Sequence, residues 1–211
     1  MKKIVKNLCT SALCMTMFMA IHPDKASAYS CGSEYDGYVC CNSYHTFGHG
    51  NYLTTINGTA IGPRYISIDS GFTNSHTTAI NNVINSWNSQ LSTSADSIFY
   101  LIKQPSNCQI QILKGTLENG LFGYTHVYNK AGLGLTVNNK KLPSNYASSI
   151  IYIDTSKGYF KTTVAHELGH AMGLSHRICN INSIMYPYMD EVKVSVPQTI
   201  DAKTVKHIYS N

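Results

Sequence analysis

Long apolar runs are scarce in this 211-residue chain. The run from Leu8 to Ile21 is too short to cross a bilayer comfortably, so it argues against a membrane span and for an export signal. Lys2, Lys3 and Lys6 give that signal its positive start, and Ala26-Ser27-Ala28 gives small residues for cleavage before Tyr29. Cys9 and Cys14 each follow a leucine, where lipid attachment would want a small residue, so no lipid anchor is expected. Charge is sparse as well, with Asp, Glu, Lys and Arg making up 13% of residues. Loss of residues 1–28 removes four lysines and Asp24, taking the formal charge from +5 to +2. No Lys/Arg cluster interleaved with aromatics is present, which excludes the usual footprint of nucleic-acid binding. Internal repeats and a second domain are absent too. What remains is long enough for one monomeric, extracellular domain with a full core.

Five cysteines follow the signal: Cys31, Cys40, Cys41, Cys108 and Cys179. Export permits disulfides, but an odd number leaves at least one thiol over, and the sequence does not define their pairing. Residues 29–62 are rich in Gly, Asn, Ser, Thr and Tyr and read as an N-terminal arm or pro-segment. The remainder, 63–211, reads as the folded domain.

The chemistry is concentrated between His166 and His176. On a helix His166 and His170 lie at i and i+4, so two imidazoles can meet one ion. Gly173 stands where the chain must leave that helix, and a left-handed turn there costs glycine little. The turn returns His176 as a third ligand. Three protein ligands leave one tetrahedral position open, which is the mark of a catalytic zinc rather than a structural one. Glu167 is rotated off the ligand face and is free to serve as the base.

The pattern His-Glu-x-x-His-x-x-Gly-x-x-His resembles the zinc signature of the metzincin metallopeptidases. Ser183-Ile184-Met185-Tyr186-Pro187 is similar to their methionine turn, in the form most like the matrixin branch, which includes the matrix metalloproteases and bacterial relatives. The resemblance implies an α+β catalytic domain with a twisted, mixed five-stranded sheet, a first packing helix, an active-site helix and a C-terminal helix. It implies Met185 as the floor of the site. It also implies a substrate cleft bordered by an edge strand, Gly123, Tyr124, Thr125 and His126, and by Pro187 and Tyr188. Tyr188 lies one place early for the family's usual tyrosine, and Arg177 replaces the usual serine after the third histidine. In zymogens of this family a cysteine from the pro-segment can block the zinc, and Cys31 is the candidate here. Residues 115–141 contain one acid, Glu118, and one histidine, His126. Calcium prefers several oxygen ligands, so one zinc and no calcium are expected.

Periodicity agrees with that order of elements. Tyr65–Ile68, Ile98–Ile102, Gln109–Leu113, Gly123–Tyr128 and Ser149–Asp154 read as strands. Ala79, Ile80, Val83, Ile84 and Trp87 recur at helical spacing within 75–90. Val164, Leu168 and Met172 would pack the active-site helix, and Val205, Ile208 and Tyr209 a last helix opened near Pro197. The expected activity is zinc-dependent cleavage of internal peptide bonds in polypeptides. Two alternatives are a secreted zinc-binding protein and a hydrolase of cell-wall peptides.

Overall fold

A computed structural model describes residues 52–55, 57–92, 99–118, 120–135, 144–177 and 180–209. Residues 1–28, read above as an export signal, and Cys31, Cys40, Cys41 and Cys179 lie outside the described residues. In chain order the elements are β1 (Gly62–Ile68), α1 (Asn74–Leu91), β2 (Phe99–Lys103), β3 (Ile110–Gly115), β4 (Gly123–Tyr128), β5 (Gly134–Leu135), β6 (Ser148–Asp154), α2 (Phe160–Ala171) and α3 (Thr199–Tyr209).

The sheet has six strands in the order β2-β1-β3-β6-β4-β5. β2, β1, β3 and β6 run parallel, and β4 runs antiparallel to β6 with Thr125 opposite Ile151. The sixth strand is an addition to the five expected. β5 is two residues long, too short to show alternation, and pairs only with Val127 and Tyr128. β4 is therefore not the outermost strand along its whole length. Among the described residues, 123–126 have no strand on their outer side.

Alternation decides which sheet face is buried. Ile66, Leu101, Ile110, Ile112, Val127, Ile151 and Ile153 face the helices and are buried. Tyr124, His126 and Tyr128 face the other way, their rings in a row, the first pair edge-on and the second tilted, with centroids 4.4 and 6.0 Å apart. α1 begins at Thr73, whose hydroxyl accepts the His76 N–H, and buries Ile80, Val83, Ile84, Trp87 and Leu91. Each such aliphatic side chain contributes roughly 1.5–3 kcal/mol when fully buried. The fully buried Trp87 also donates its indole N–H to Ala165 O at 3.1 Å, tying α1 to α2.

The end of the segment read as an N-terminal arm is packed into this core. Leu53 is fully buried, bridges Tyr146, and donates its N–H to the Tyr209 hydroxyl. Buried Arg64 donates to Leu53 O and Ala60 O and lies 5.0 Å from the centre of the Tyr209 ring. Burial alone would disfavour that guanidinium; the carbonyls satisfy it and join the start of the domain to α3.

Candidate active site

α2 has a special residue at each end. Tyr159, just before it, is left-handed at φ 59°. At its far end Gly173 has φ 95°, and the Gly173 and Leu174 N–H groups bond His170 O and Gly169 O at 2.9 and 3.0 Å. This is the two-bond C-terminal cap that glycine favours, and it reverses the chain so that His176 returns toward the helix.

The ligand nitrogens of His166, His170 and His176 all lie within 4.8 Å of one another. His170 Nε2 and His176 Nε2 are 3.1 Å apart. That is near the roughly 3.3 Å edge of a tetrahedron with Zn–N arms of about 2.0–2.1 Å. The Nδ1 atoms of His166 and His170 each lie 2.8 Å from a carbonyl oxygen, those of Ile184 and Leu174. A carbonyl can only accept, so both Nδ1 atoms carry the proton and both Nε2 lone pairs are left for a metal. Burial, and then the nearby His176 ring, bring His166 down to about 3, against the pull of the Ile184 carbonyl. Burial brings His176 to about 4 and, with the two neighbouring imidazoles, holds His170 well below its usual range. At neutral pH the three rings are neutral, the form a metal requires. The residues present therefore fit one zinc ion. Among the described residues no other group of three metal-binding side chains occurs.

Glu167 is buried beside these ligands, and burial raises its carboxyl to about 7 despite the hydroxyl of Thr125. That hydroxyl donates to Glu167 Oε2 at 2.6 Å. Gly123 adjoins the same side chain: a Cβ there would meet Glu167 Cγ at 2.7 Å. Of the expected cleft residues, Gly123 and Thr125 thus meet Glu167, whereas Tyr124 and His126 lie on the opposite face of the sheet and His126 is no part of the histidine cluster.

Met185 lies under α2, its Sδ against the position a side chain at Gly169 would occupy. Glycine inside a helix costs about 1 kcal/mol relative to alanine, and this contact is the reason for it here. The turn is held by a residue the sequence reading missed. Buried Asp201 accepts from the Ser183 hydroxyl, from Ile184 N–H at 3.1 Å and from Gln198 N–H at 2.8 Å. An acid three residues after Gln198 is half of a capping box, and that spacing was visible in the sequence. Arg177, also buried, donates its N–H to Met185 O and its guanidinium to Thr204 Oγ1, closing the same corner. Tyr186 gives its hydroxyl to Glu191 at 2.7 Å and packs edge-on against Tyr188, with half-buried Pro187 between them in the chain.

The Peptidase M10 family model, described as Matrixin, matches residues 21–210. The chain belongs to the matrixin family. As a matrixin it is a zinc metalloendopeptidase with the mixed sheet and three helices of the metzincin catalytic domain. Two solved structures are similar to this matrixin. One is high choriolytic enzyme 1, a hatching-enzyme zinc-protease from Oryzias latipes (medaka fish), at 11% identity and TM-score 0.45, covering 76% of this chain and 94% of that one. The other is myroilysin, at 15% identity and TM-score 0.42, covering 71% of this chain and 93% of that one. No curated protein matches the matrixin by sequence.

Proposed function

We propose that this matrixin is an exported endopeptidase that cuts internal peptide bonds of proteins, with one zinc ion on His166, His170 and His176 and Glu167 as general base. The placement of Glu167 carries this reading. A buried carboxylate raised to about 7 follows His166 on α2, the helix that also carries His170 of the three-histidine cluster. A carboxyl lifted toward neutrality by burial is suited both to take and to return a proton.

When bound, zinc supplies Lewis acidity, lowering the pKa of water from about 15.7 toward about 7 and polarising a carbonyl. Glu167 supplies the proton transfers. Its carboxylate accepts a proton as water attacks the peptide carbon, then delivers it to the departing amine nitrogen, an effect of roughly 10²–10⁴-fold. Ile184 O and Leu174 O keep His166 and His170 in the tautomer that presents Nε2. The outer side of residues 123–126 is suited to an extended polypeptide, gripped through main-chain hydrogen bonds whatever its sequence. Export is supported by Lys2, Lys3, Lys6, the apolar run and Ala26-Ser27-Ala28. Among the described residues no helix is long and apolar enough to cross a membrane.

The test compares the purified, zinc-loaded protein with Glu167→Ala on an unfolded casein-like substrate, with chelator and cell-wall fragments in parallel. Casein cleavage abolished by chelator and lost in a folded, metal-binding Glu167→Ala supports the reading. Equal activity in both proteins removes Glu167 as base. Cleavage of wall fragments alone changes the substrate class.

A further inference from the structure

We propose that Thr125 is a positioning residue for Glu167: with the bare backbone of Gly123 it fixes the carboxylate so that Oε2 is held and Oε1 is left as the open acceptor. This rests on the role given to Glu167 above. A glutamate side chain has three torsions, and a base that wanders among their wells is seldom where a proton leaves. On β4 the alternation that sends Tyr124, His126 and Tyr128 to one face presents Gly123 and Thr125 to α2.

The two residues act differently. Thr125 Oγ1 lies 2.6 Å from Oε2, the separation of a hydroxyl bonded to a charged carboxylate, and 3.2 Å from Glu167 O. Threonine is stiff about χ1, so the strand sets the direction of that hydroxyl. Gly123 leaves the space the glutamate stem occupies. A Cβ there would lie 2.6 Å from Thr163 Cγ2, 2.7 Å from Glu167 Cγ and 3.0 Å from Oε1. Among the described residues Oε1 has no hydrogen-bond partner, whereas Oε2 is committed to Thr125.

The test uses the zinc-loaded protein with Thr125→Val, which keeps the shape and removes the donor, and Thr125→Ser, which keeps the donor. Glu167→Ala is run beside them. Thr125→Val is expected to lower kcat roughly ten- to a hundredfold, the weight of one hydrogen bond to a charged group. KM and zinc affinity, the latter by chelator competition, stay within twofold. Thr125→Ser restores most of kcat, and a crystal structure of Thr125→Val shows the Glu167 carboxylate turned from its present orientation. Should the valine variant fail to fold, Thr125→Ala against Thr125→Ser makes the same comparison. Unchanged kcat without the donor overturns the proposal. So does a loss that serine leaves unrepaired, or one that tracks lost zinc. Activity retained by Glu167→Ala would instead overturn the reading of Glu167, so the two failures are told apart.

Discussion

Glu167 and Asp201 are both buried carboxyls, both are raised by desolvation, and both stand within one corner of the fold. Their surroundings separate their roles. Asp201 accepts from one hydroxyl and two backbone N–H groups, with the charge of Arg177 nearby, and so joins α3 to the methionine turn. Glu167 has the single hydroxyl of Thr125 among the described residues, and its carboxyl rises to about 7. A buried carboxylate whose lone pairs are used is architecture. One with an oxygen still open fits the proton-carrying role proposed for Glu167.

The contrast is tested most severely at Glu167. Glu167→Gln should lower kcat by roughly 10²–10⁴-fold while stability, by thermal unfolding, stays level or rises, because a buried ionisable group is removed. Asp201→Ala should do the reverse. It strands three donors and should cost about 3–5 kcal/mol, read as a Tm lower by roughly 10 °C. Zinc affinity should weaken as well, since Ile184, the acceptor for His166, belongs to the same turn. Catalytic loss without destabilisation in Asp201→Ala would break the distinction.

Gly169→Ala tests the floor. Alanine favours the helix, but its methyl would collide with Met185 Sδ, so a net loss of about 1–3 kcal/mol is expected. Met185→Ala in the same chain should recover part of that loss, which a double-mutant cycle in denaturant would detect.

The smallest effect is expected at Asp154, a carboxylate outside the corner. The Ser156 hydroxyl, with the Leu117 and Ser156 N–H groups, lowers it from 3.8 to about 2. A carboxyl lowered on folding adds stability above its unfolded pKa and loses it as pH falls toward the folded value. The Tm gap between the parent and Asp154→Asn should therefore be full above about pH 4 and close as pH falls through about 2. A constant gap across that range would mean that the asparagine loses packing rather than charge.

Much of this corner is legible in the sequence because its signals are local. His166, Glu167, His170, Gly173 and His176 stand at fixed offsets on one helix and its cap, where spacing determines geometry. The five longer strands and three helices show their periods within single segments. β5 has two residues and no period to show. The Arg64–Tyr209 and Leu53–Tyr146 contacts join distant segments by packing, which periodicity does not encode. Thr125 could be assigned to a strand near the cleft, but its bond to Glu167 depends on how β4 docks against α2, a tertiary register. Asp201 did carry a local signal, its place three residues after Gln198, yet that spacing speaks of a helix start and not of the turn it also holds.

Trp87 has a consequence of a different kind. It is the chain's single tryptophan, fully shielded, with its indole bonded to the carbonyl immediately before His166. All indole fluorescence from this protein therefore originates against the backbone of Ala165, the residue before the first of the three clustered histidines. Emission that reddens during heating or unfolding reports that α1 has parted from the histidine-bearing α2, so the molecule contains its own optical gauge of that helix pair.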